Sequence, residues 1–193
     1  MEKVSTIKTE ALWIGGSAGS LEVLLRVLPH LNTDLQFPIV IVLHRKKGMD
    51  NLLADLFATK TQIPVFEIEE KQHANKGCIY IAPADYHLLI EADRTFSFDH
   101  SEKINYSRPS IDVAFESAAE VYQDKMAALL LSGANADGVN GLKKVALFGG
   151  FVMIQDPESA SVSYMPAQAA SLVDVNKILK IDEMAELINS LAK

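Results

Sequence analysis

Apolar positions along this chain fall into two patterns. The runs at 11–14 ("ALWI") and 38–43 ("PIVIVL") are continuous, too short for helices and without alternation. Runs of that length suit strands covered on both faces, as in a parallel sheet. Between them, "SLEVLLRVLPHL" sets Leu21, Leu24, Leu25 and Leu28 at helical spacing, and Pro29 marks the end. Strand, helix and strand in that order predict a βαβ unit.

The pattern recurs. "GMDNLLADLFATK" reads as a helix and "IPVFEI" as a short strand. The stretch 78–99, "CIYIAPADYHLLIEADRTFSFD", differs: short strand-like pieces are separated by Pro83-Ala84-Asp85 and Ala92-Asp93-Arg94, which predicts an antiparallel hairpin insertion. "SIDVAFESAAEVYQ" is amphipathic, with Ser110 as N-cap and Asp112 in the first turn. "KMAALLLSG" predicts another buried strand, "DGVNGLKKVALFGG" a helix, "FVMIQD" a strand and "DEMAELINSLAK" a last helix capped by Asp182. The expected fold is one α/β domain over 1–193, with 1–9 as an N-terminal tail. It is three-layered and Rossmann-like, with a mostly parallel sheet and helices on both faces.

Composition narrows the partners. The chain has 193 residues, 49% hydrophobic, with formal net charge −7. An acidic balance gives no drive toward phosphate backbones or anionic membranes, so nucleic acid is not an expected partner. No run approaches the ~20 apolar residues of a membrane span, and no signal-peptide core is present, so a cytoplasmic protein without membrane insertion is expected. Cys78 is the single cysteine, which excludes an internal disulfide and suits a small buried side chain. The five histidines are scattered and show no H-x-H or H-E-x-x-H spacing, so neither metal nor cofactor is expected.

The chemistry gathers where strands end. In open α/β sheets functional groups collect at the carboxyl ends of strands. Ser17 follows the first strand inside Gly15-Gly16-Ser17-Ala18-Gly19, a G-x-S-x-G pattern. Small neighbours let a hydroxyl project from a tight turn, and the coming helix leaves unpaired N–H groups for an oxyanion. A bland glycine-rich turn or an anion-binding helix start fits the same residues. A Rossmann fingerprint does not, because Ser17 stands where its second glycine belongs.

A serine needs a base. Among the histidines only His44 ends a buried strand, and it is the next strand after that of Ser17. Asp137 lies in the loop after "MAALLL", just before a helix. Alone, it reads as an N-cap. With Ser17 and His44 it completes a hydroxyl, an imidazole and a carboxylate on three strand-end loops, and triads are defined by geometry and not by order. Arg45, Lys46 and Lys47 form either a solvated loop or a basic rim for an acidic helix. Arg108 in "SRPS" is a second candidate for substrate contact.

The blocks "IGGSAGSLEVLLRVLPHL", "PIVIVLH", "GCIYIAPADYHLLI", "SRPSIDVAFESAA", "LLLSGANADGVNGL" and "QDPESASVSYMPAQAA" together resemble the catalytic domain of chemotaxis protein-glutamate methylesterases, the CheB type. The resemblance runs from Trp13 to the C-terminal helix. It implies hydrolysis of glutamate γ-methyl esters on the cytoplasmic helices of chemoreceptors, with glutamine deamidation as a second activity. By motif, the family's nucleophile falls on Ser17, its base on His44 and its carboxylate on Asp137. Ala18 replaces the threonine that usually follows the serine, and Ala134 replaces a methionine. Both positions are linked in the family with the oxyanion site, and Met165 with a loop at the rim. Since alanine keeps its amide N–H, altered activity is expected and not its loss. About ten residues precede the first strand, so a free-standing catalytic domain without the family's receiver domain is expected. A receiver-domain protein in trans is then a further candidate partner. Two other readings remain: a protein-binding module of the same fold with weakened catalysis, and a nucleotide-binding α/β domain.

Overall fold

A computed structural model describes residues 8–45 and 50–192. Seven strands form one sheet in the order β3-β4-β2-β1-β7-β8-β9, every pair parallel. They are β1 (Ala11–Gly16), β2 (Ile39–Leu43), β3 (Val65–Glu67), β4 (Ile79–Ile81), β7 (Met126–Leu130), β8 (Phe151–Gln155) and β9 (Lys177–Leu179). The helices are α1 (Ser20–Val27), α2 (Asp50–Ala58), α3 (Ile111–Tyr122), α4 (Val139–Leu147), α5 (Tyr164–Leu172) and α6 (Ile181–Ser190). Two remaining strands, β5 (His87–Ile90) and β6 (Phe96–Asp99), pair as a separate antiparallel hairpin.

The unalternating strands are buried on both faces, as their composition requires. Along β1, Ala11 and Trp13 pack toward α3, α4 and the hairpin, while Leu12 and Ile14 pack toward α1 and α6. Along β7, Met126, Ala128 and Leu130 face the first of these layers and Ala127 and Leu129 the second. The result is helix, sheet, helix. No described helix is long and apolar enough to cross a membrane.

Four expectations change in detail. The hairpin insertion is shorter than 78–99, because β4 joins the main sheet in parallel and only β5 and β6 leave it. Helix α1 buries Val23, Leu24 and Val27, leaving Leu21 exposed. Lys180, not Asp182, caps α6: the helix starts two residues earlier, at Ile181, and its Glu183 carboxylate accepts the Lys180 N–H at 2.8 Å. Cys78 is half-buried at the edge of the core.

Strand order reverses on either side of β1, with β2 on one flank and β7 on the other. Sheets of this kind open a crevice at the carboxyl edge of such a switch point. The loops that follow β1, β2 and β7 carry Ser17, His44 and Asp137.

Candidate active site

The strand ladder brings Ser17 and His44 together. Gly16 is paired with Leu43, the His44 N–H donates to Gly16 O at 3.1 Å, and the Ser17 N–H donates to Ser132 O at 2.9 Å. Residues paired across parallel strands point to the same face. Leu43 faces the α1 and α6 layer, so Ser17 and His44, one residue further on, face the α3 and α4 layer.

The turn after Ser17 is pinned from several sides. Gly19 sits at φ 86° as the N-cap of α1, and a Cβ there would lie 2.7 Å from Ser132 Oγ. Only glycine meets both conditions readily. Ser20 is fully buried; its hydroxyl accepts the Ser17 N–H at 3.1 Å and donates to Ser132 O at 2.7 Å. Ser132 Oγ donates to Ala18 O at 2.7 Å and accepts the Val162 N–H at 2.9 Å. Among the described residues, neither the Ala18 N–H nor the Ala134 N–H makes a hydrogen bond, and both residues are exposed. The two amides the oxyanion reading needs are therefore open.

Gly133 explains the other wall. A Cβ on it would lie 2.5 Å from Met165 Cε and 3.1 Å from Ser17 Cβ. Met165 is thus close to the serine, but not on a rim loop: it is in the first turn of α5, fully buried, with its N–H donating to Gly133 O at 2.9 Å. Pro166 follows it without breaking the helix, since the first turn has no use for that N–H.

The acid is buried deepest. Asp137 is 0% exposed, and Gly138 rather than Asp137 is the N-cap of α4. Its carboxylate reaches across to the start of α3. Oδ2 accepts the Ile111 N–H at 2.7 Å; Oδ1 accepts the Asp112 N–H at 3.0 Å and the Ser110 hydroxyl at 2.9 Å. His44 Nε2 lies 2.7 Å from Oδ2. Burial pushes this carboxyl up, but His44 and the Asp112 and Ile111 amides outweigh it and hold Asp137 below the usual range. An ionised Asp137 fixes the proton on Nε2, so Nδ1 is the basic nitrogen of His44.

Asp112 mirrors this arrangement. Its Oδ1 accepts the Gly138 and Gly141 N–H groups at 2.9 and 2.8 Å, so each aspartate caps the other's helix. Burial, with nearby Asp137 adding to it, raises Asp112 to about 6 against the pull of those amides. Behind them His87, fully buried on β5, accepts the Ser110 N–H on Nδ1 at 3.1 Å and donates from Nε2 to Glu102 O at 2.9 Å.

A cavity of about 480 Å³ opens on His44, lined by Arg45, Asp85, Lys103, Tyr106, Ser107 and Arg108. Arg108 is engaged inside the protein: it holds Asp85 Oδ1 at 2.7 Å and the carbonyls of His100 and Ser101 at 3.2 and 2.9 Å. Arg45 bonds Glu67 at 3.3 Å and Ala82 O at 2.9 Å. Arg45 thus builds the cavity wall and is not part of a solvated loop, while Arg108 lines the same cavity and is anchored to Asp85. Lys46 and Lys47 lie outside the described residues. The roles of Ser20, Ser132, Ser107 and His87 were not read from sequence. Each comes from a contact between distant segments, and only Ser110, the expected N-cap, carried a local signal.

Fold and site together define a three-layer α/β domain with an acid–imidazole pair beside a strand-end serine. The CheB methylesterase family model matches residues 12–188, and the chain belongs to that family. A Leptospira interrogans relative, provisionally named a protein-glutamate methylesterase/protein-glutamine glutaminase, is 44% identical over 178 residues, 92% of each chain. A Thermotoga maritima protein of that name is 36% identical over 156 residues, 79% of this chain and 45% of its own length. The crystal structure of the Thermotoga maritima CheB methylesterase catalytic domain superposes with TM-score 0.91 at 32% identity, covering 95% of this chain and 98% of that one. Family membership displaces the nucleotide-binding reading.

Proposed function

We propose that this chain hydrolyses glutamate γ-methyl esters on the cytoplasmic helices of chemoreceptors, and deamidates glutamine there, through Ser17, His44 and Asp137. That substrate puts the protein in the cytoplasm. The observation that carries the reading is the 2.7 Å bond between His44 Nε2 and a wholly buried Asp137, one residue beyond the rung that joins β1 to β2.

In the first half-reaction His44 Nδ1 takes the Ser17 proton as Oγ attacks the ester carbonyl. Asp137 holds Nε2–H and stabilises the imidazolium. The Ala18 and Ala134 amides donate to the oxyanion; one such donor is typically worth ~10²–10³-fold. The C–O bond to methoxide breaks, and methoxide leaves as methanol with the proton from Nδ1. Water, deprotonated by the same nitrogen, then cleaves the glutamyl ester of Ser17 and releases the glutamate carboxylate.

The test is methanol release from methylated receptor fragments. Ser17→Ala is expected to lower turnover by at least about 10³-fold with the fold intact. Turnover near that of the wild type would end this reading. A second reading, a receptor-binding module with little turnover, draws on one observation: Ser17 Oγ makes no hydrogen bond to a described residue. Fragment binding by the wild-type chain without methanol release would select it.

A further inference from the structure

The base nitrogen of His44 already has a partner, and it is not Ser17. With Nε2 held by Asp137, Nδ1 has the ring's one available lone pair. Ser107 Oγ lies 3.3 Å from it. We propose that Ser107 holds the base in check: its hydroxyl occupies Nδ1 in the free protein and must yield that lone pair to Ser17 for each turnover, which slows acylation. This inference rests on the mechanism proposed above.

The geometry favours competition over orientation. The ring is already fixed by its 2.7 Å bond to Asp137, so it needs no second tether. At 3.3 Å the Ser107 contact is long for a hydroxyl donor, which prefers about 2.7–2.8 Å. The same proton has an alternative acceptor in Asn105 O at 3.4 Å, so it can leave Nδ1 without being stranded.

Ser107 is nonetheless held in place. Ile104 and Ser107 close a tight turn by mutual backbone hydrogen bonds at 3.1 and 2.9 Å. The Arg108 guanidinium binds the carbonyls of His100 and Ser101 on one side of this turn, and His87 joins Glu102 O to the Ser110 N–H across it. A fixed strap thus presents the hydroxyl to the base at high effective concentration. Ser107 is not itself placed as the nucleophile: the open Ala18 amide directly follows Ser17, and a Cβ on Gly133, the residue before Ala134, would lie 3.1 Å from Ser17 Cβ.

The experiment is timed labelling of the purified chain with a fluorophosphonate, which acylation-competent serines attack, followed by peptide mass mapping. The expected label is on Ser17. Ser107→Ala is expected to label about 2–10-fold faster, the range set by losing one neutral hydrogen bond. Ser107→Thr, which keeps the hydroxyl, is expected within about 2-fold of wild type on the same scale. Label on Ser17 with an unchanged or slower rate in Ser107→Ala overturns the competition and leaves the triad standing. Label on Ser107, or on neither serine, overturns both.

Discussion

Two aspartates behind the site occupy near-equivalent places and behave in opposite ways. Asp137 precedes α4 and caps α3; Asp112 begins α3 and caps α4. Both are buried, at 0% and 5% exposure. Yet Asp137 is held below the usual carboxylate range while Asp112 rises to about 6. Burial acts on both in the same direction. The difference is in the donors: Asp137 has the imidazole, a hydroxyl and two amides, while Asp112 has two amides and the Asn105 side chain at 3.5 Å. Ionisation in this interior follows the count and quality of donors more than depth.

The largest test of that contrast removes the better-served partner. Asp137→Asn is expected to cut ester turnover by about 10⁴-fold, because the amide reverses which ring nitrogen carries the proton. A steady-state assay with near-wild-type kcat would break the comparison. Asp137→Ala strands four donors at once, and chemical unfolding should show a loss of about 3–5 kcal/mol.

The second aspartate gives the opposite sign. A carboxylate raised from its ordinary value to about 6 binds a proton more tightly in the folded state, so it subtracts stability as pH rises from about 4 to 6. Asp112→Asn keeps an acceptor for Gly138 and Gly141 and removes the charge. Its thermal unfolding should match the wild type near pH 4 and exceed it at pH 7, by about 1–2 kcal/mol. The Asp137 carboxylate works the other way, adding stability above its unfolded value and losing it as pH falls through a folded value below that. A variant less stable than wild type at pH 7 would mean the amides, not the charge, dominate at Asp112.

Smaller effects sharpen the picture. Ser110→Ala removes both the α3 cap and one Asp137 donor, and about 1–2 kcal/mol should go with it in a denaturant titration. Arg26→Ala breaks only an exposed pair with Asp182, and a change above about 1 kcal/mol in the same titration would be unexpected.

Much of this was legible in the sequence, for a physical reason. Strands buried on both faces must be apolar throughout, so β1, β2 and β7 declared themselves, and a parallel sheet puts their carboxyl ends on one edge. Ser17, His44 and Asp137 stand on that edge, and the G-x-S-x-G pattern around Ser17 singled out the first of them. Less legible was anything decided by a side chain crossing between segments. Asp137 looked like the cap of its own helix because local patterns cannot show that its carboxylate turns toward α3. Met165 was expected on a rim loop from resemblance alone, yet it stands in the first turn of α5, where Pro166 is at home. Arg108 gave no sign of its bond to Asp85, which stands far away in sequence. His87 and Ser107 gave no local sign at all, since their partners are backbone groups and a ring brought near by the strap.

The central position of β1 has a consequence for how the molecule is made. Its ladder with β2 closes early, but Ala11 on its other flank is answered only by Met126. During synthesis, Ser17 and His44 can become neighbours while Asp137 has yet to leave the ribosome. Until β7 arrives, the wholly buried strand β1 keeps one edge open, and non-local pairing of this kind slows folding and exposes chains to aggregation. Truncations that stop short of β7 would therefore yield sticky fragments, with no half-working enzyme among them.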